Sequence, residues 1–222
     1  MDAKQQLVSF VENSITDIEK KFKENPTAFF TENDLICYFY MLLCEKMRLF
    51  RVDYLDLVHR EFPTFMKCDM RHKGFIPMDD NSSFSRGHFD LIIINPDLAN
   101  KAKAWFTDKF QRFDFLRARF GYVKEHRERY LKQPALLYAL EFMYNREPIT
   151  IKEKGGIGNL IKIALQDFNK LKATQCHGGN KYAENIKMLI FIKDTVDRAV
   201  REEVYNKLEK ESGGQIRCIF NN

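Results

Sequence analysis

The stretch "ALLYALEFMYN" (residues 135–145) reads as a buried strand with one ionisable side chain near its middle. Successive side chains on an extended chain alternate faces. Ala135, Leu137, Ala139, Glu141, Met143 and Asn145 then share one face, and Leu136, Tyr138, Leu140, Phe142 and Tyr144 the other. A strand apolar on both sides belongs inside a layered sheet. A carboxylate at Glu141 is costly there unless it is paired, protonated or bound to a metal.

Working outward, "HFDLIIINP" (88–96) is a second strongly strand-like run, closed by Pro96, with the lone acid Asp90 inside it. "DLVHREFPT" (56–64) predicts a short strand ended by Pro63, "IKMLIFIKD" (186–194) a buried strand, and "QIRCIFN" (215–221) a last one. Leu7, Val8, Val11, Ile15, Ile18 and Phe22 recur at helical spacing until "ENP" stops them at Pro26. A second helix starts at Thr31, with Asp34 three residues on in capping-box fashion. "NLIKIALQDFNKLKA" (159–173) and "TVDRAVREEVYNKLEKESGG" (195–214) are amphipathic helices, the latter stopped by two glycines, while "NREPITIKEKGGIG" reads as loop. This order predicts an α/β fold: a central mixed sheet with helices on both faces, in one domain spanning 1–222 with an N-terminal helix in 1–30.

Hydrophobic residues make up 45% of the chain and Phe alone numbers 20, enough for a substantial core and against disorder. The net charge of +5 is mild, but its distribution is not even. Residues 100–133 hold ten Lys and Arg against four acids, interleaved with Trp105, Phe106, Phe110, Phe113, Phe115 and Phe120. This basic, aromatic-rich insertion (97–134) reads either as a clamp for a phosphate backbone or as a helical insertion facing the core or a dimer partner. Arg117, Arg119 and Lys124 are its candidate nucleic-acid contacts, together with Arg86 and His88 at the start of the Asp90 strand. The five cysteines form no CxxC pair, and Cys37 and Cys44 read as helix core residues. No apolar run approaches the ~20 residues of a spanning helix, so the expected setting is cytoplasmic, away from membranes.

If the strands of Asp90 and Glu141 are neighbours, ~4.8 Å apart, the carboxylates converge, and a hard divalent cation relieves their repulsion. Glu32 in the second helix, "REFPT", "GHFDLIII" and "ALEFMYN", followed by helix, strand, helix and strand, resembles the PD-(D/E)XK nuclease superfamily over roughly residues 31–220. The resemblance implies a restriction-endonuclease-like fold with the insertion between its second and third core strands. It also implies Mg²⁺- or Mn²⁺-dependent phosphodiester hydrolysis, of DNA more often than RNA, with Asp90 and Glu141 as metal ligands and Glu32 in support. The family's lysine, two residues after the second acid, is replaced by Met143, and a thioether cannot stabilise a negative transition state. Lys162 and Lys170 on the next helix are the candidates to supply the missing cation, although both lie off its apolar stripe. Asp167 with Lys170 otherwise reads as a solvated face, and Glu61 in "REFPT" as a further acid of the site or an edge residue. A related protein without catalysis, serving as a binding module, is the alternative.

Overall fold

The computed structural model describes residues 2–49, 57–69, 74–77, 86–96, 134, 136–146, 154–177, 180–181, 183–193 and 197–221. Helix α1 (Ala3–Glu24) opens on Asp2, whose side chain accepts from the Gln5 N–H, and buries Leu7, Phe10, Val11, Ile15, Ile18 and Phe22 along one stripe. It ends at Asn25, ahead of Pro26. Helix α2 (Glu32–Leu49) starts with the expected reciprocal cap: Thr31 N–H donates to Asp34, and Asp34 N–H to the Thr31 hydroxyl. Its buried stripe is Leu35, Ile36, Phe39, Leu43 and Met47. Cys37 and Cys44 lie off that stripe, exposed and half-buried, so neither is the core residue the sequence suggested.

The sheet has five principal strands, with a four-residue sixth strand extending one edge. In chain order they are β1 (Val58–Asp69), the short β2 (Gly74–Pro77), β3 (Arg86–Ile94), β4 (Leu136–Asn145), β7 (Ala183–Ile192) and β8 (Ile216–Phe220), arranged β2-β1-β3-β4-β7-β8. A separate two-residue ladder, β5 (Cys176–His177) with β6 (Asn180–Lys181), follows helix α3 (Lys154–Gln175). Strands β1, β3 and β4 run antiparallel in succession, whereas β4, β7 and β8 run parallel. Parallel neighbours need a crossover. Helix α3 lies between β4 and β7 in the chain, and helix α4 (Arg198–Val204), continued by a π-helical stretch Tyr205–Lys210, between β7 and β8. Gly213 and Gly214 end that last stretch with positive φ, so the predicted glycine stop holds.

Helices cover the two faces through alternate residues of β4. On one face Tyr138 donates to Glu12 of α1, Phe142 meets Phe39 of α2 edge-on, and Tyr144 meets Phe22 of α1. On the other face Glu141 meets Lys170 of α3. The alternation read from 135–145 is therefore the alternation observed, and β4 is buried from Leu136 to Phe142.

Two boundaries differ from expectation. Strand β1 does not end at Pro63 but runs on to Asp69, with a register shift between Pro63 and Lys67. Pro63 pairs with His88 on one side, while β2 begins to pair only at Met66. Among the described residues no strand pairs with Pro63 on its other side, and proline is tolerated where no ladder N–H is required. Helix α3 also starts five residues before the predicted position, absorbing the "KGGIG" glycines into its first turns. Residues 97–133 of the basic insertion, with Arg117, Arg119 and Lys124, lie outside the described residues.

Candidate functional site

The pairs Ile93–Tyr138, Ile92–Ala139 and Leu91–Leu140 join β3 to β4, and the next step of that register sets Asp90 opposite Glu141. The two acids that stood out in apolar runs are thus brought together on adjacent strands. Asp90 Oδ2 accepts from the Phe142 main-chain N–H at 2.6 Å, which ties its carboxylate to β4. Glu141 is only 5% exposed, in the middle of the sheet face covered by α3.

Lys170 reaches Glu141 from α3. Its Nζ forms an ion pair with Glu141 Oε1 and donates to the His88 main-chain oxygen at 3.2 Å. At 8% exposed it is a buried cation, not the solvated residue its position off the apolar stripe suggested. Asp167, one turn earlier, is half-buried and within the field of Lys170 and Glu141, so it too is not on a solvated face. Lys162, the other candidate for the missing cation, is exposed, whereas Met143 stands half-buried on β4.

Glu32, the first residue of α2, accepts from the Tyr144 N–H at 3.2 Å and lies within the field of Asp90. Glu61 of β1 is the one non-glycine residue with positive φ (50°) among the described residues. The pairs Arg60–Leu91 and Phe62–Phe89 flank it, so the same register faces it with Asp90, and its charge acts on Asp90. Arg60, beside it, donates to Cys37 Sγ and to Asn33 of α2. His88 is exposed, next to this group, and Arg86 begins β3.

Burial is the largest influence on Glu32, Asp90, Glu141 and Asp167 and pushes these four carboxyls above their ordinary range. For Glu141 the shift is large, because burial and the neighbouring Asp90 outweigh the opposing pull of Lys170. For Asp90, the Phe142 N–H, a hydrogen bond with Glu141 and the charge of Lys170 oppose the rise, and Glu61 adds to it. Glu32 is raised by burial and then by Asp90, against the Tyr144 N–H.

Among the described residues no group of three or more His, Cys, Asp and Glu side chains is disposed to hold a metal ion. Mg²⁺ however takes only one or two protein carboxylates and keeps several waters. Asp90 and Glu141, with the His88 carbonyl beside them, offer hard oxygen donors under mutual repulsion, and this chemistry fits such an ion. Among the described residues no helix is long and apolar enough to cross a membrane. Comparison with protein-family models, with curated proteins and with solved structures found no match.

Proposed function

We propose that this chain is a divalent-metal-dependent phosphodiesterase of the restriction-endonuclease-like type, acting on nucleic acid and on DNA before RNA. The observation that carries the reading is the convergence of Asp90, Glu141 and Lys170 on one sheet face, from two adjacent strands and the helix that follows them. The antiparallel β1-β3-β4 meander followed by a parallel β7 agrees with the core order of the PD-(D/E)XK family.

In this reading Asp90 and Glu141 would hold Mg²⁺ or Mn²⁺, which when bound activates water and neutralises charge on a phosphate. Lys170 supplies from α3 the positive charge that Met143 does not supply from β4. Its ammonium lies between β3 and β4, beside the two acids, where it is within reach of a developing negative charge. Glu32 adds negative charge at the rim of the site and is itself held by the Tyr144 N–H. Exposed His88, with Arg86 and the basic stretch holding Arg117, Arg119 and Lys124, would grip the substrate backbone, while the same insertion in a homodimer contact is the competing use of its aromatic residues. The free thiols of Cys37, Cys44 and Cys218 suit a cytoplasmic setting.

Met143 favours a second reading, in which the fold binds nucleic acid or protein without cleaving it. Cleavage of single- and double-stranded DNA and RNA in Mn²⁺, with chelator controls, separates the two. The first reading expects activity in the wild type, abolished in Asp90→Asn and Glu141→Gln and reduced about 10²–10³-fold in Lys170→Met. Cleavage that survives Asp90→Asn and Glu141→Gln would exclude this site as its source, and salt-sensitive binding without cleavage would support the second.

A further inference from the structure

Lys170 holds the oxygens that a metal ion would use. Its Nζ contacts Glu141 on β4 and the His88 carbonyl on β3, and the charges of Asp90 and Asp167 bear on the same space. An ammonium and a divalent cation seek the same hard oxygens, and the ion pair is buried, so the two cannot share Glu141 Oε1 cheaply. A displaced Lys170 then needs another partner, because a buried cation without one is costly. Asp167 lies three residues earlier on α3, where side chains are neighbours on the helix surface.

We propose that Lys170 is a built-in competitor for the metal position, and that Asp167 is the positioning residue that receives its ammonium when a divalent ion takes Glu141. This inference rests on the metal-site reading above. It gives the lysine two settings, on Glu141 and on Asp167, and makes metal uptake the event that switches between them. It also separates the roles of the acids: Asp90 and Glu141 act on the metal, and Asp167 acts through Lys170.

Calorimetric titration of Mn²⁺ into wild type, Lys170→Met, Asp167→Asn and the double variant tests this, at about pH 8.5 so that proton competition at Glu141 is reduced. Removing the competitor should tighten binding about tenfold in Lys170→Met, and removing its alternative partner should weaken binding about fivefold in Asp167→Asn. On the Lys170→Met background Asp167→Asn should change affinity by less than about twofold, because it acts only through the lysine. Unchanged or weaker binding in Lys170→Met overturns the inference, as does an equal loss from Asp167→Asn on both backgrounds. Should Lys170→Met not fold, an Asp167→Asn affinity equal to wild type overturns it alone. Failure of the wild type and of every variant to bind Mn²⁺ removes the metal-site reading itself, whereas wild-type binding with no gain in Lys170→Met removes only the competition.

Discussion

Asp90 and Phe142 are joined across neighbouring strands: the Phe142 main-chain N–H donates a 2.6 Å hydrogen bond to Asp90 Oδ2. A carboxylate side chain thus takes the main-chain donor next to Glu141, and the regular β3–β4 pairing is last seen one step away, at Leu91–Leu140. This bond holds Asp90 beside Glu141, where the two carboxylates repel each other when both are ionised. Asparagine can accept the same N–H while carrying no charge, and alanine cannot.

Asp90→Asn should therefore fold with stability equal to or above wild type, since repulsion with Glu141 is lost, while Mn²⁺ binding falls sharply. Asp90→Ala should lose Mn²⁺ binding as well and be destabilised by about 1–3 kcal/mol, because the Phe142 N–H is left without its acceptor. Urea denaturation of both variants in chelator checks this. Equal stabilities would mean the bond contributes nothing, and an Asn variant less stable than wild type would mean that the carboxylate charge itself is structural.

The raised carboxyls set a direction for pH dependence. Glu32, Asp90, Glu141 and Asp167 all hold their protons more tightly folded than unfolded. Their stabilising contribution is complete below the unfolded values of 3.8 and 4.5 and is lost as pH rises through the folded values. Asp34 runs the other way: the Phe30 and Thr31 N–H groups hold its pKa down, so its contribution is lost as pH falls through that lowered value. In chelator the melting temperature should decline from weakly acidic to alkaline pH. Mn²⁺ selects the ionised carboxylates, so the gain in melting temperature it gives should grow from about pH 5 to about pH 8. Thermal scans with and without Mn²⁺ across that range decide it, and a gain that shrinks as pH rises would count against metal on these acids.

Glu61 carries strain that glycine would not. Its φ of 50° lies in the left-handed region, where a side chain costs of the order of 1 kcal/mol or more. Its charge also opposes ionisation of Asp90. Glu61→Gly should raise stability by about 1 kcal/mol in chelator. A loss of stability, measured by urea denaturation, would mean the Glu61 carboxylate makes contacts worth more than the strain.

The two acids at the centre of the site were legible in the sequence because apolar neighbours marked them: Asp90 within "HFDLIII" and Glu141 within "YALEFMYN". The strand alternation that assigned them faces is the one observed. Lys170 is a candidate for the missing cation in the sequence, but its burial is not legible there, because apolar residues alone mark a helix's inner face. A buried lysine paired across to a strand acid has no periodic signature, and the same holds for the half-buried Asp167 beside it. The missing N–H of Pro63 predicts a strand end, but whether that N–H matters depends on whether a partner strand lies beside it. The left-handed conformation of Glu61 had no sequence signal at all, since glycine or asparagine would be expected there.

The central claim is that Asp90 and Glu141 together bind a divalent cation, and calorimetric titration of Mn²⁺ into wild type, Asp90→Ala and Glu141→Ala tests it most directly. Saturable binding in the wild type that disappears in both variants, with both still folded by circular dichroism, is the predicted result. No binding in the wild type, or binding that survives both substitutions, would contradict it and leave the buried Lys170–Glu141 pair as an element of the core.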